Sequence, residues 1–362
     1  MIQEEKTELT EKTELTAGEK VKELQKELTW SFPNIAKEAP SQKEEAFEYC
    51  EAYKAFLDCA KTEREFTQAA VKLLNEAGYA PFEKGRDYKA GDKVYYVNRK
   101  KSLIMTTFGQ REIGAGVRLN VAHIDSPRLD LKPNPMYEKA EMAFFKTHYY
   151  GGIRKYQWAA IPLAMHGVVV KKDGEITDIR IGEEEGDPVF CVTDLLPHLA
   201  ADQNERKLKD GIKGEELNVI IGSLPFSADE DIKEPVKLLA LSVLNEKYGM
   251  TEKDFIRAEI EIVPAFKAVD VGLDRSMVGA YGQDDRVCAY TALTAEMASI
   301  EPEYTTVTVL ADKEEIGSVG NTGLDSDFVL HYIEDLAETA GIDYRTILRN
   351  SICLSSDVNA AY

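Results

Sequence analysis

Two adjacent glutamates, Glu314 and Glu315, follow a stretch that has the composition of a buried strand. That stretch, Thr305 to Ala311, is rich in β-branched and apolar residues. A buried strand has no use for two carboxylates at its end, whereas open α/β sheets place their sites at the carboxyl ends of strands. One glutamate could then bind a metal ion while its neighbour moves a proton. The alternative is that both cap the next segment or face water.

A histidine and an aspartate stand two residues apart in a second strand-like stretch, LNVAHIDSP at 119–127. If the strand extends that far, its two-residue period puts His123 and Asp125 on one face. Asp125 could then hold the imidazole in the tautomer that leaves one ring nitrogen free for a metal ion. The pair therefore predicts a metal ligand together with the group that orients it.

Two further stretches add carboxylates at predicted turn and strand ends. GQDDR at 282–286 places two aspartates in a turn before an apolar helix that we predict from about Val287 to Ala298. ICLSSD at 352–357 is an apolar strand that ends in an aspartate. Acids at strand or turn ends therefore recur along the chain, together with one histidine, and this recurrence indicates a single site.

A pair of divalent cations is the cofactor that such side chains would serve. Zinc, cobalt and manganese accept histidine nitrogen and carboxylate oxygen, and one carboxylate can bridge two ions about 3.5 to 4 Å apart. The ions acidify a bound water and polarise a carbonyl, while a free carboxylate passes the proton to the leaving amine. Cysteine ligation is not indicated, because the five cysteines show no CxxC spacing.

At these residues the sequence resembles the aspartyl aminopeptidases, a family of dinuclear zinc exopeptidases. AHIDSP matches the family's AHxDSP, GQDDR its GLDNR, DKEEIGS its DHEEIGS, and SSDVNAA its SxDVAHA. The four motifs occur in the family's order and extend from His123 to the end of the chain. The resemblance implies a zinc-exopeptidase-like α/β fold and a metallo-aminopeptidase activity.

The resemblance also implies a role for each motif residue. It implies two zinc ions per active site, for which Co²⁺ or Mn²⁺ could substitute. The implied roles are His123 and Asp357 as ligands of the first zinc, Asp284 as the bridge, Glu315 as a ligand of the second zinc, Glu314 as the general base and Asp125 as the residue that orients His123.

The sequence departs from the family pattern at several positions. Asp285 stands where the family usually has asparagine, which adds a negative charge beside the bridge. Residues 150–163 read YGGIRKYQWAAIPL against the family's YGGGLWHTWFDRDL, so Tyr156 replaces a histidine that reaches a neighbouring subunit's site. A preference for acidic amino termini is therefore not implied, although Arg154 and Lys155 could attract a carboxylate. The pattern is closer to a bacterial branch of the family.

The carboxyl end is a further departure. Family chains continue and supply a last histidine ligand to the second zinc, whereas this sequence ends at Tyr362. None of the remaining histidines matches that ligand, and we expect each to be structural; they are His148, His166, His198 and His331. We therefore expect a carboxyl-terminally truncated chain whose second metal site is short of a ligand.

The order of the predicted elements indicates an α/β domain. Apolar spacing from Lys43 to Leu74 predicts one or two amphipathic helices. Residues 94–97 and 103–107 predict a strand pair joined by a turn at 98–101. With the strand that carries His123, these elements would form a mixed sheet flanked by helices.

The pattern of predicted elements changes between about Arg128 and Pro264. Prolines and an Asp173-Gly174 hairpin signal indicate short strands, and 254–263 is a predicted strand leading back to the first domain. We predict a charged tail or helix at 1–20, where EKTELT repeats twice over 5–16, and a metallopeptidase domain formed by 21–127 and 265–362. Residues 128–264 are then an inserted β-rich domain, which the resemblance identifies as the dimerisation domain of a larger closed oligomer.

Composition excludes several classes of partner. The net charge of −20 would repel nucleic acid and anionic membranes. No run of about 18 apolar residues occurs, and the amino terminus does not resemble a signal peptide. A cytoplasmic protein with reduced thiols fits these features.

Two rival functions remain open. The same ligands could serve a dinuclear deacylase or another amidohydrolase, which would cleave substrates with a blocked amino group. With a ligand missing, the chain could instead be an inactive oligomer subunit.

Overall fold

The computed structural model describes residues 16–30, 34–227 and 232–360. Among these residues, those up to Glu51 belong to one compact unit and those from Ala52 onward to a second. In the first unit, helix Ala17–Leu28 begins with a capping box in which Thr16 and Glu19 satisfy each other's backbone amides. The EKTELT repeat lies outside the described residues, apart from its last residue, Thr16.

Nine α-helices and fifteen strands occur in the described part of the chain. The helices are α1 Ala17–Leu28, α2 Ile35–Glu38, α3 Lys43–Cys59, α4 Glu63–Glu76, α5 Ala201–Asn204, α6 Pro235–Tyr248, α7 Gln283–Met297, α8 Phe328–Ala340 and α9 Tyr344–Asn350. The strands are β1 Ala80–Pro81, β2 Lys93–Asn98, β3 Ser102–Thr107, β4 Arg118–His123, β5 Arg128–Lys139, β6 Met142–Tyr150, β7 Leu163–Val170, β8 Ile176–Ile181, β9 Cys191–Val192, β10 Val219–Gly222, β11 Ala258–Pro264, β12 Val269–Val271, β13 Met277–Gly279, β14 Thr306–Ala311 and β15 Ile352–Ser355.

The first sheet has six strands in the order β1-β2-β3-β14-β4-β15. The predicted strand pair is present as β2 and β3, which are antiparallel. Strand β4 lies between β14 and β15 and runs parallel to both. The carboxyl ends of these three strands therefore meet at one edge of the sheet.

Helices cover both faces of the first sheet. On one face, the buried side chains of α3, α4 and α7 pack against the sheet, among them Phe56, Phe66 and Leu293. On the other face, α8 and α9 contribute Tyr332 and Ile347. The predicted α/β class, a mixed sheet between helices, is confirmed.

The second sheet has seven strands in the order β8-β7-β11-β5-β6-β10-β9 and is formed entirely by residues 128–264. All of its ladders are antiparallel. Because Ala52–Tyr362 form a single compact unit, the division into a peptidase domain and an insertion stays a prediction.

The strand predicted over 254–263 begins later than predicted. Glu252–Arg257 is a 3₁₀-helix, and strand β11 starts only at Ala258. The Asp254 carboxylate accepts hydrogen bonds from the amide and hydroxyl of Thr251, which caps the helical turn. This local cap outweighs the strand-like alternation of the sequence.

None of the helices in the described ranges is both long and apolar enough to cross a membrane.

His166, on β7, is buried between the carboxylates of two glutamates. Its Nδ1 lies 2.8 Å from Glu65 Oε1, and its Nε2 lies 3.1 Å from Glu183 Oε1. Lys61 also pairs with Glu183, at 2.8 Å. Burial lowers the pKa of His166, but the hydrogen bonds to Glu183 and Glu65 outweigh burial and raise the pKa above its ordinary value.

We expect His166→Gln to destabilise the protein in a pH-dependent way. A histidine whose pKa is raised by folding stabilises the fold below its unfolded pKa of about 6.5, and this contribution is lost as pH rises through the folded-state pKa. The difference in free energy of unfolding between wild type and variant should therefore be larger near pH 6 than at pH 9. Urea unfolding across this range measures it. His331→Gln, on the exposed side of α8, is the control, and an equal pH dependence for both variants would refute the assignment.

Candidate metal centre

Three parallel strand ends bring the site together. Strand β4 ends at His123, which pairs with Ala311 at the end of β14. The 3₁₀ turn Glu314–Ile316 begins three residues after the end of β14, and Asp357 comes two residues after β15. The β-branched run that forms β14 therefore delivers the two glutamates to the edge where β4 delivers its histidine.

One histidine and two aspartates form a ligand-like cluster. The ligand atoms of His123, Asp284 and Asp357 lie within 4.8 Å of one another. His123 Nε2 is 3.2 Å from Asp284 Oδ1 and 3.8 Å from Asp357 Oδ1. Asp284 reaches the cluster because the first residues of α7 are not helical, with φ −90° and ψ 110° at Asp284 itself.

The cluster fits a divalent cation. His123 Nε2 is buried, has no hydrogen-bond partner, and faces the carboxylates. On the other side of the ring, Nδ1 lies 3.0 Å from the Asp125 carbonyl oxygen, which can only accept a hydrogen bond. In the neutral imidazole Nε2 therefore presents the lone pair, and one nitrogen with several carboxylate oxygens is a donor set that zinc, cobalt or manganese accept.

The two glutamates border this cluster in different environments. Glu314 Oε2 lies 3.7 Å from His123 Nε2, and its side chain is 47% exposed. Two effects raise the pKa of Glu315 to about 7: burial is the larger, and the negative charge of Asp284 is the next. A neighbouring cation would reverse that shift and favour the charged carboxylate. Glu315 also packs against Gly151, where a Cβ would come within 2.9 Å of its carboxylate oxygen.

Asp125 is fully buried and organises the site. It accepts hydrogen bonds from the Tyr150 hydroxyl at 2.6 Å and from the amides of Glu314 and Glu315 at 3.1 and 3.2 Å. Burial raises its pKa, but the hydrogen bonds to His123 and Tyr150 outweigh burial and lower it. Burial lowers the pKa of His123, but Asp125 raises it to about 9, so a cation must displace a proton from this imidazole.

All six residues singled out from the sequence lie at this edge of the first sheet. Strand β4 ends at His123, so Asp125 is brought to the imidazole by the turn that follows and not by strand periodicity. Sequence reasoning missed Tyr150, which lies on the second sheet and shows no spacing signal. Asp285, the departure from the family's asparagine, is fully buried, and burial raises its pKa to about 6.

A cavity of about 660 Å³ opens beside Asp284. Apolar side chains form much of its wall, including Trp158, Ile161 and Phe266, and Arg154 lies at its exposed side. This volume can hold an amino-acid side chain next to the cluster.

A mixed sheet with helices on both faces and a histidine–carboxylate cluster at its strand ends is the arrangement of an α/β metallohydrolase. Residues 56–362 match the family model described as aminopeptidase I zinc metalloprotease (M18), and the chain belongs to this family.

Relatives and solved structures agree with this assignment. A probable M18 family aminopeptidase 1 of Clostridium acetobutylicum is 49% identical over 330 residues, which are 89% of this chain and 70% of that protein. The crystal structure of an M18 family aminopeptidase from Thermotoga maritima has a TM-score of 0.86 at 44% identity, covering 92% of this chain and 73% of that one. The mApe1 dodecamer of Saccharomyces cerevisiae has a TM-score of 0.68 at 21% identity, over 86% of this chain and 72% of that one, and shares the fold.

Proposed function

We propose that the protein removes amino-terminal residues from peptides with two zinc ions and Glu314 as general base. The observation that carries this proposal is the convergence of His123, Asp284 and Asp357 beside Glu314 and Glu315 at one sheet edge. Family membership supports the aminopeptidase activity.

The proposed ligands divide between two ions. His123 and Asp357 would hold the first, Glu315 the second, and Asp284 would bridge them, since its carboxylate neighbours both His123 and Glu315. When bound, the ions would polarise the scissile carbonyl and lower the pKa of a water molecule. Asp125 has no free face toward the cluster, because its oxygens are occupied by four groups, so it serves to orient and not to bind.

Glu314 is suited to proton transfer. Its side chain is half exposed, which leaves it open to water and substrate, while its backbone amide is held by Asp125. It would take a proton from the attacking water and give it to the departing amine. The cavity beside Asp284 would receive the first side chain of the peptide, with Arg154 positioned to attract a carboxylate.

Metal stoichiometry and peptide cleavage test this function together. We expect two metal ions per chain and release of amino acids from free peptides but not from amino-blocked ones. Removal of the ions with a chelator should abolish cleavage, and zinc, Co²⁺ or Mn²⁺ should restore it. Cleavage of blocked substrates would identify a deacylase, and absence of both metal and cleavage would refute the proposal.

Self-association is part of the proposal. Exposed apolar side chains on the 128–264 segment, including Leu224 and Ile256, support an interface between copies of the chain. Tyr156, at the position that the family resemblance places near a neighbouring subunit, is also exposed. Sedimentation at micromolar concentration measures the assembly, and a monomeric mass would contradict it.

A further inference from the structure

Tyr150 reaches the metal centre from the second sheet. It is the last residue of β6, is buried, and pairs with Arg128 at the start of β5. Its hydroxyl donates a 2.6 Å hydrogen bond to Asp125 Oδ2. A residue that belongs to one sheet therefore contacts the group that organises the site on the other.

Asp125 holds two parts of the site at once. Its Oδ1 lies 3.3 Å from His123 Nδ1 and accepts the Glu314 amide at 3.1 Å. Its Oδ2 accepts the Glu315 amide at 3.2 Å together with the Tyr150 hydroxyl. A rotation of this carboxylate would displace both the imidazole and the turn that carries the two glutamates.

The Tyr150 ring is itself fixed by charge. The Arg128 guanidinium carbon lies 3.8 Å from the ring centroid, and Lys313 Nζ lies 5.6 Å from it. Arg128 is buried and paired with Glu261 at 3.2 Å and Asp130 at 2.8 Å. The ring that carries the hydroxyl is thus flanked by two cationic side chains, one of which is held in the core by its own ion pairs.

We propose that Tyr150 is a positioning residue that sets both halves of the metal centre through Asp125. The inference rests on the proposed function, since it concerns the same site. This role is not the support of a single metal ligand. Asp125 contacts His123, a proposed ligand of the first ion, and the amide of Glu315, a proposed ligand of the second. Loss of the hydroxyl should therefore weaken the binding of both metal ions, not of one alone.

Tyr150→Phe tests the inference, because it removes the hydroxyl and keeps the ring under Arg128. Isothermal titration of the metal-depleted protein with zinc should show both dissociation constants raised by about tenfold or more, the range seen when partners of metal ligands are removed. At saturating zinc, kcat should stay lowered while KM changes little, since the Glu314 amide is no longer held in place.

Tyr79→Phe is the matched control. Tyr79 is also buried, and its hydroxyl bonds in the core to Thr107 Oγ1 at 2.9 Å and to the Glu296 carbonyl at 2.8 Å. The Tyr79→Phe variant should be less stable than wild type but should bind zinc with the same affinity. Unchanged zinc affinity in Tyr150→Phe, weakening at one site alone, or equal weakening in both variants would each overturn the positioning role. Absence of zinc binding by wild type would instead overturn the proposed function, and this inference with it.

Discussion

Replacing Glu314 with glutamine is expected to lower kcat by about 10²- to 10⁴-fold, the usual contribution of a general base. Glutamine keeps the size and the backbone hydrogen bond to Asp125 but cannot accept a proton from water. Metal content should remain at the wild-type value, because Glu314 is not among the proposed ligands. Steady-state kinetics on an unblocked peptide, with metal analysis of the same sample, measures both quantities.

Glu315→Gln provides the comparison for this experiment. It makes the same carboxylate-to-amide change at the adjacent residue. Because Glu315 is a proposed ligand, this variant should lose zinc as well as activity. Excess zinc should restore part of the activity of Glu315→Gln and none of that of Glu314→Gln. Turnover by Glu314→Gln above about a hundredth of wild type would show that another group takes the proton.

Replacing Arg128 with methionine is expected to cost about 3 kcal/mol of unfolding free energy, toward the lower end of the range for breaking a buried ion pair. Arg128 lies among the buried carboxylates of Glu63 and Glu261, 3.6 and 3.2 Å from its nitrogens. Burial raises the pKa of Glu261 well above its ordinary value, so Glu63 is the carboxylate left charged. Lys101, 2.8 Å from Glu63, limits the loss. Urea unfolding measures it.

Arg257→Met controls for the loss of an arginine as such. Arg257 is 43% exposed and pairs with Asp254 at 2.8 Å, so its removal should cost less than about 1 kcal/mol. Adding Glu63→Gln to Arg128→Met should recover part of the lost stability, because it removes the buried carboxylate that has lost its charged partner, while Lys101 still pairs with Glu259 at 3.0 Å. An equal decrease in the free energy of unfolding for both arginine variants would show that the buried ion pairs of Arg128 contribute no more than an exposed pair.

Local composition was sufficient to predict the elements that carry the site. The β-branched run before Glu314 predicts β14 because such residues suit a buried pleated surface, and it ends where the charges begin. The closeness of His123 and Asp125 was predicted from strand periodicity, but the strand ends at His123. The backbone turn after it, which sequence periodicity does not describe, brings the carboxylate to the ring.

Contacts between distant segments could not be predicted in this way. Tyr150 lies on the second sheet and Asp125 follows β4 of the first, and nothing in their spacing indicates that they meet. Glu63 and Arg128 are separated by 65 residues, and in the sequence each has the character of an ordinary surface charge. Their burial follows from how the two sheets pack, which depends on the whole chain and not on a local pattern.

The buried charge cluster also bears on how the molecule opens. Its members come from α4, from the turn before β3, and from strands β5 and β11 of the second sheet, and they are Glu63, Lys101, Arg128 and Glu261. If either sheet detached alone, charged groups of the other would lose their partners while still enclosed. Partial opening is therefore penalised, and slowly exchanging amide hydrogens in the two sheets should be released together, as one cooperative unit.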